Sequence, residues 1–249
     1  MYTPQPQRSC APRMMLIMLA AFVLLASPVI GQQTYVTQFD AYSGFAYLDS
    51  PHVNLAETGW AAQFGFRPKT WYSIGFDYSL STGDLTLTPN LLPTALQQQL
   101  GAELGGLVAA GVIPPSYTLA VKAHSRTQTF AFGPQLAYRH FKQVTLFLRP
   151  VFAGAIHETA TPAPTPLDPV ATGVVAQLVP AGHKTDTAPF IGFGGGFDIL
   201  FGKHFALRTQ ADLVYDHLFN DLLQDGRFTT RFSIGPAFNF GKNIAEPAK

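Results

Sequence analysis

The first candidates for chemistry in this sequence are two histidine and acid pairs with nearby hydroxyl residues. They are His157 with Glu158, Asp216 with His217, and Ser79, Ser81 and Ser125. A hydrolase or acyltransferase needs a nucleophile, a base within hydrogen-bond reach and a carboxylate that orients the base. All of these residues lie in or next to segments of β-strand character, where adjacent residues point to opposite faces. Neither pair forms a ready dyad, so we expect a protein that is not an enzyme and has no catalytic residues.

Histidine and cysteine spacing gives no sign of a metal or thiol site. The seven His residues lack a ligand spacing such as HExxH. Cys10 is the only cysteine, and it precedes an apolar stretch, Met14 to Ala26, that follows Arg8 and Arg13. This order is typical of a secretory signal peptide. We therefore predict a cleaved signal peptide over residues 1–31, a mature chain without a thiol, and no metal or cofactor.

Most of the remaining ionisable residues share one face of the alternating segments. That face is built from Gly, Ala, Ser and Gln with five Arg and five Asp, and the opposite face carries bulky apolar residues without a charge. Buried charges must be paired, so the sequence predicts an internal network of ion pairs. Its predicted members are Asp40, Asp77, Arg139, Arg149, Asp198, Arg208, Asp212 and Arg231. Asp198 is expected to face Arg208 across a tight hairpin.

Eight segments with a period of two residues must position these charges, which indicates eight β-strands. An eight-stranded barrel is just wide enough inside to be filled by side chains, so the small and charged face fits inside and the bulky face points outward, toward lipid. The chain has no run of about 20 apolar residues, the length that a spanning helix needs. The residues predicted to face lipid are Trp60, Phe64, Phe66, Phe76, Phe132, Leu148, Phe193, Phe197, Leu213, Phe232, Phe238 and Phe240.

The connections alternate in length, as expected for an up-and-down transmembrane barrel. Short turns are predicted at 68–70, 141–143 and 201–204, and longer connections at 48–58, 81–125, 158–187 and 217–226. This gives an all-β, eight-stranded antiparallel barrel over 32–241 with short periplasmic turns, long extracellular loops at about 81–125 and 158–187, and a C-terminal tail at 242–249. Aromatic residues near both strand ends predict two interfacial girdles.

Prolines, glycines and leucines predict local departures from this plan. Pro134, Pro150 and Pro236 remove donors inside strands, which predicts bulges or broken pairing. Gly194 to Gly196 either make room for a large neighbour inside or bend the wall. Leucines at helical spacing predict a short helix over about 93–110, which either covers the barrel mouth or forms a surface for a partner or for the outer leaflet. The proline-rich segment 158–187 is expected to be mobile and exposed.

The last strand reads Arg227-Phe-Thr-Thr-Arg-Phe-Ser-Ile-Gly-Pro-Ala-Phe-Asn-Phe240. With the signal peptide and the eight alternating strands, it resembles the outer-membrane protein beta-barrel domain family, the small OmpA-like and OmpX-like barrels of Gram-negative bacteria. The resemblance covers about residues 36–241. It implies an outer-membrane location, contact with membrane lipids and lipopolysaccharide, and insertion by the barrel assembly machinery with periplasmic chaperones.

We therefore expect a monomeric, non-catalytic outer-membrane barrel with a structural or surface-interaction role, an interior filled by ion pairs, and an extracellular partner at the long loops. The formal charge changes only from +1 to −1 on loss of Arg8 and Arg13, which gives no indication of nucleic-acid binding. A narrow porin-like channel for small solutes is the alternative. A lipid A-modifying enzyme and a soluble lipocalin-like ligand-binding barrel are further alternatives.

Overall fold

Eight antiparallel strands form a closed barrel in the computed structural model, which describes residues 33–220, 222–223 and 226–245. The strands are β1 Thr37–Ser50, β2 Leu55–Lys69, β3 Tyr72–Leu87, β4 Val121–Tyr138, β5 Val144–Ala163, β6 Lys184–Phe201, β7 Phe205–Asp216 and β8 Arg227–Asn243. Each strand pairs with its sequence neighbours, and β1 pairs with β8 to close the sheet. The predicted all-β, eight-stranded antiparallel fold is confirmed. The predicted signal peptide at 1–31, with Cys10, and residues 246–249 of the tail lie outside the described residues.

Alternation along the strands decides which side chains enter the barrel. In β3 the residues Ser73, Asp77 and Ser79 are buried, whereas Phe76 between them is 63% exposed. In β8 Arg231 is buried and its neighbour Phe232 is exposed. The bulky apolar face therefore points outward, as the sequence predicts, and the charged face points inward.

Three predicted connections are longer than the real ones because the strands continue past the alternating segments. The connection at 48–58 is only the four residues 51–54, a 3-10 turn that ends at Asn54 in the left-handed conformation. The expected alternation of short and long connections is therefore wrong at this position. The two long loops span 88–120 and 164–183 rather than 81–125 and 158–187. The short turns at 70–71, 139–143 and 202–204 agree with the prediction.

Two helices lie in the long loops. Helix α1, Thr94–Ala109, confirms the helix predicted at 93–110, and Gly111 follows it with a φ of 71°. Helix α2, Pro169–Leu178, was missed within the segment that was expected to be mobile and exposed. The signal was present in Asp168-Pro169, because Asp caps a helix and Pro suits its first turn. Among the described residues, neither helix has the length and hydropathy needed to span a bilayer.

The prolines interrupt the ladder between β4 and β5. The register shifts between Phe132 and Leu136 on β4, where Pro134 lies opposite the Pro150 region of β5, and again between Arg149 and Phe152 against β6. At Pro236 the pairing with β1 is broken without a register shift. The predicted bulges or broken pairing are confirmed. The bulge at Pro150 also reverses the alternation, so Phe152, which an unbroken alternation from the outward Leu148 would place outside, is buried inside the barrel.

Candidate functional site

The interior charges form three clusters, which we call lower, middle and upper from the short-turn end to the long-loop end. In the lower cluster Arg208 binds Asp198 through two contacts of 2.8 and 2.9 Å. The same guanidinium lies 2.9 Å from Asp40, which also pairs with Arg67 at 3.0 Å. Two arginines and two aspartates make this cluster neutral. The expected contact between Asp198 and Arg208 is confirmed. Arg67 is a further inward arginine of this cluster through its ion pair with Asp40.

The middle cluster joins residues from four strands across the lumen. Arg231 binds Asp212 at 2.6 Å and lies 3.4 Å from Asp77. Arg149 contacts Asp77 and lies 3.2 Å from Asp212. The side chain of Arg149 is 1% exposed. Two arginines again balance two aspartates, so the cluster satisfies its charges internally.

The upper cluster was only partly visible in the sequence. Arg227 binds Asp216 at 3.0 Å and contacts Glu158, which accepts a hydrogen bond of 3.0 Å from Ser125. Glu57 is another buried carboxylate close to Glu158. Glu158 was missed because β5 was predicted to end before it, and Arg227 was left out of the inward charges although it lies on the predicted last strand. Their parity with the other inward residues, as in Arg227, Thr229 and Arg231, was the available signal.

Arg139 lies in the turn after β4 rather than within a cluster. Its guanidinium donates to the Thr70 carbonyl oxygen at 2.8 Å and to Thr145 Oγ1 at 2.9 Å, and it also reaches Gln33 at 3.3 Å. These acceptors are neutral. The structure therefore places Arg139 as a hydrogen-bonding residue at the short-turn end of the barrel, a correction to its predicted ion pair.

Aromatic rings and glycines complete the packing around the charges. The guanidinium carbon of Arg149 lies 4.1 Å from the ring centre of Phe152, and that of Arg208 lies 5.2 Å from the ring centre of Phe147. A Cβ at Gly194 would lie 2.0 Å from Asp212 Oδ1, and one at Gly196 would lie 2.8 Å from the Phe147 ring. The glycines of β6 therefore make room for large neighbours inside the barrel, which was one of the two predictions for them. The neighbours are Asp212 and Phe147 rather than an arginine.

Of the residues considered for catalysis, Ser125 and Glu158 meet inside the barrel, and His157 does not join them. Glu158 and Asp216 point inward to Arg227, whereas His157 points outward and contacts Thr187 Oγ1 at 2.7 Å. The expected opposite orientation of neighbouring residues is confirmed at this pair. The Ser125 hydroxyl therefore contacts a carboxylate that is paired with Arg227, without a histidine beside it.

The outer surface carries a belt of exposed apolar residues. On β4 the outward residues from Phe130 to Tyr138 are apolar or aromatic, whereas the outward residues from Lys122 to Gln128 are polar. None of the twelve residues predicted to face lipid is buried. Contacts between aromatic rings lie at both edges of the belt. The ring centres of Tyr78 and Phe130 are 4.9 Å apart near one edge, and those of Phe205 and Phe238 are 5.1 Å apart near the other.

Similarity to known proteins is found among solved structures, which include outer-membrane proteins. No protein-family model matches the sequence, and no curated protein matches it significantly. Solved structures similar to the chain include Ail, the attachment invasion locus protein of Yersinia pestis, with a TM-score of 0.45 and 10% sequence identity, covering 82% of this chain and 99% of Ail. Neisserial surface protein A has a TM-score of 0.48 and 10% identity, with 81% and 96% covered. The outer membrane protein OprG from Pseudomonas aeruginosa has a TM-score of 0.48 and 10% identity, with 85% and 99% covered.

Proposed function

We propose that the protein is a non-catalytic barrel of the Gram-negative outer membrane, with a closed lumen and an ordered extracellular cap. The cap consists of the two long loops, 88–120 and 164–183, with their helices. The observation that carries this proposal is the inverted distribution of residues, with bulky apolar side chains outside and ion pairs inside. On β4 the outward apolar run covers nine residues, Phe130 to Tyr138, and a tilted transmembrane strand needs about 9–11. A soluble lipocalin-like barrel requires the opposite distribution.

The closed lumen is supported by the packing between the lower and middle clusters. The cavity bordered by Tyr42, Gln63 and Asp77 has a volume of about 10 Å³, which is about the space that one water molecule needs. Separating the paired arginines and aspartates inside the barrel would cost several kcal/mol per ion. We therefore favour a structural interior over the alternative of a narrow channel.

The cap supports a surface role because its two loops are tied together. Asp168 accepts a hydrogen bond of 2.9 Å from the Ala171 backbone N–H at the start of α2, and its other oxygen accepts one of 2.8 Å from the Tyr117 hydroxyl of the 88–120 loop. Buried Leu119, Val121 and Ala171 pack beneath this link. The cap thus presents an ordered surface on which an extracellular partner could bind.

Two experiments test this proposal. The purified protein in planar bilayers should give no steady single-channel steps, whereas a porin added to the same bilayer should conduct; steady steps from the protein alone would establish the channel instead. For location and orientation, Val112→Cys in the cap and Lys142→Cys in a short turn form a matched pair. On intact cells a membrane-impermeant maleimide should label the first and not the second, and the reverse labelling would contradict the proposed orientation.

A further inference from the structure

An apolar cavity of about 110 Å³ lies inside the long-loop end of the barrel. It is separate from the space between the ion-pair clusters, and it lies above the upper cluster. Residues of the strands, both helices and the 217–226 connection border it, among them Leu87, Leu91, Leu100, Val121, Val175 and Phe219. The cavity therefore occurs where the cap meets the barrel wall.

The inward face of the strands changes character at this level. On β3 the inward residues are Asp77, Ser79 and Ser81 in the lower part of the strand and then Leu85 and Leu87 above them. An up-and-down barrel that ended at the membrane would not need this apolar extension, because its inner face would meet water. The extension instead supplies a hydrophobic wall opposite the helices of the cap.

The charges that border the cavity are already engaged. Arg227 and Glu158 form its floor, and both belong to the upper cluster with Asp216. Lys184 at the rim also has an interaction partner. An anionic ligand would have to displace Glu158 or Asp216 from Arg227, and breaking a buried pair is strongly unfavourable. The chemistry of the cavity thus favours an uncharged ligand.

The size of the cavity limits the ligand further. An engineered cavity of about 150 Å³ lined by Leu, Ile and Phe stays dry and binds benzene. A volume of about 110 Å³ with a similar lining fits one small ring or a short alkyl segment. Such a ligand restores the contacts that the side chains around an empty cavity lack.

Phe219 gives an independent indication that this wall is held in place. Its φ of 54° is in the left-handed region, which is an outlier for a bulky residue. Its backbone N–H donates a hydrogen bond of 2.5 Å to Asp186 Oδ2 of β6, and the residue is 6% exposed at the cavity wall. Local strain of this kind clusters at ligand sites and persists only where the surroundings impose it.

Helix α1 covers the cavity with one face only. Leu100 is buried against it, whereas a Cβ added at Gly101, Gly105 or Gly106 would meet nothing within 4 Å. The remaining faces of α1 therefore have free space around them. A helix attached along one face is a suitable cover for a site that has to admit a small molecule.

We propose that the cavity beneath α1 and α2 binds a small, neutral, apolar molecule, with a single aromatic ring as the best fit. The strands supply one wall, the helices supply the cover, and the paired charges of the upper cluster supply the floor. This binding site does not depend on the membrane location of the barrel.

The test uses fluorobenzene as a probe and the refolded protein in lipid nanodiscs, which avoid detergent in the cavity. Fluorine NMR should show a bound resonance distinct from the probe dissolved in the bilayer, and empty nanodiscs should lack it. Val175→Phe fills the cavity from α2, and Val112→Phe is the matched control, because Val112 is exposed in the same cap and does not border the cavity. We expect at least a tenfold loss of affinity in the first variant and unchanged binding in the second.

The outcomes separate clearly. Absence of a bound resonance in the wild-type protein, or equal binding by Val175→Phe, would overturn the proposal. If Val175→Phe does not fold, as judged by heat-modifiable gel mobility, Leu87→Phe fills the same space from the barrel wall and is judged by the same criterion. Fluorobenzoate, which is ionised at neutral pH, should not bind, and equal binding of both probes would refute the assignment to neutral ligands.

Discussion

Replacing Arg149 by Met tests the internal ion pairs most directly. The middle cluster balances two arginines against two aspartates, so the variant leaves Arg231 alone with Asp77 and Asp212 and one buried negative charge without compensation. Breaking a buried pair in this way costs about 3–5 kcal/mol. The contact of 4.1 Å between the guanidinium and the Phe152 ring is lost as well. We expect the free energy of unfolding to fall by about 3–5 kcal/mol.

The assay is urea unfolding of the barrel refolded in lipid vesicles, followed by tryptophan fluorescence and by heat-modifiable gel mobility. Arg126→Met is the matched control, because Arg126 is exposed on the outward face of β4, where a substitution changes stability by about 0.5 kcal/mol or less. Adding Asp77→Asn to Arg149→Met restores charge balance, with Arg231 facing Asp212 alone, and should recover about 2 kcal/mol. A double variant that is less stable than Arg149→Met, or equal losses in Arg149→Met and Arg126→Met, would refute the electrostatic reasoning.

Three further predictions concern the belt, the β6 glycines and the cap. Phe132→Arg should lower the stability of the barrel in vesicles by about 2–4 kcal/mol, whereas Gln128→Arg, above the belt on the same face, should cost about 0–1 kcal/mol; equal losses would contradict the proposed membrane level. Gly194→Ala should destabilise by about 1–3 kcal/mol because its Cβ would lie 2.0 Å from a buried carboxylate oxygen, whereas Gly101→Ala in α1 should stabilise by up to about 1 kcal/mol, both measured by urea unfolding. The hydrogen bond from the Ala171 backbone N–H, followed by the bond from Tyr117, lowers the pKa of Asp168. The stabilisation of the cap by the ionised Asp168 carboxylate is therefore present above the ordinary carboxyl pKa of about 4. It is lost as the pH falls through the lowered pKa. Asp168→Ala should therefore accelerate amide hydrogen exchange in residues 164–183 at pH 6, by an amount corresponding to about 1 kcal/mol. The difference in exchange rate from the wild-type protein should vanish on acidification. A difference that persisted in strong acid would show that the charge of Asp168 is not involved.

Strand number and the two faces were predictable because alternation is a local property of the chain. The sequence around Phe76 and Asp77 alone is enough to place one outside and the other inside. Partner choice across the lumen is not local. Arg149 on β5 meets Asp77 on β3 and Asp212 on β7 only after the barrel has closed with a particular stagger. Sequence reasoning could name the members of the network, but it could not assign their partners.

Local errors had equally physical causes. The bulge opposite Pro134 shifts the alternation of β5 by one residue, so an unbroken alternation from Leu148 gives the wrong face for Phe152. The strands also continue beyond the apolar belt, where outward residues such as Lys122 are polar and the lipid-facing pattern ends. This continuation hid Glu158, and with it part of the upper cluster. The cavity above that cluster was not predictable, because it is formed by side chains from loops that the strand pattern does not describe.

The ion pairs also fix the register of the last three strands. Asp198 lies directly opposite Arg208 between β6 and β7, and Asp212 and Asp216 lie opposite Arg231 and Arg227 between β7 and β8. A slip of one residue would turn every inward charge toward lipid, and a slip of two would place Asp212 opposite an uncharged residue. Buried ion pairs are weak evidence for stability alone. In this barrel they exclude the wrong pairings, because each misregistered arrangement leaves charges without partners in a medium where isolated charges are costly.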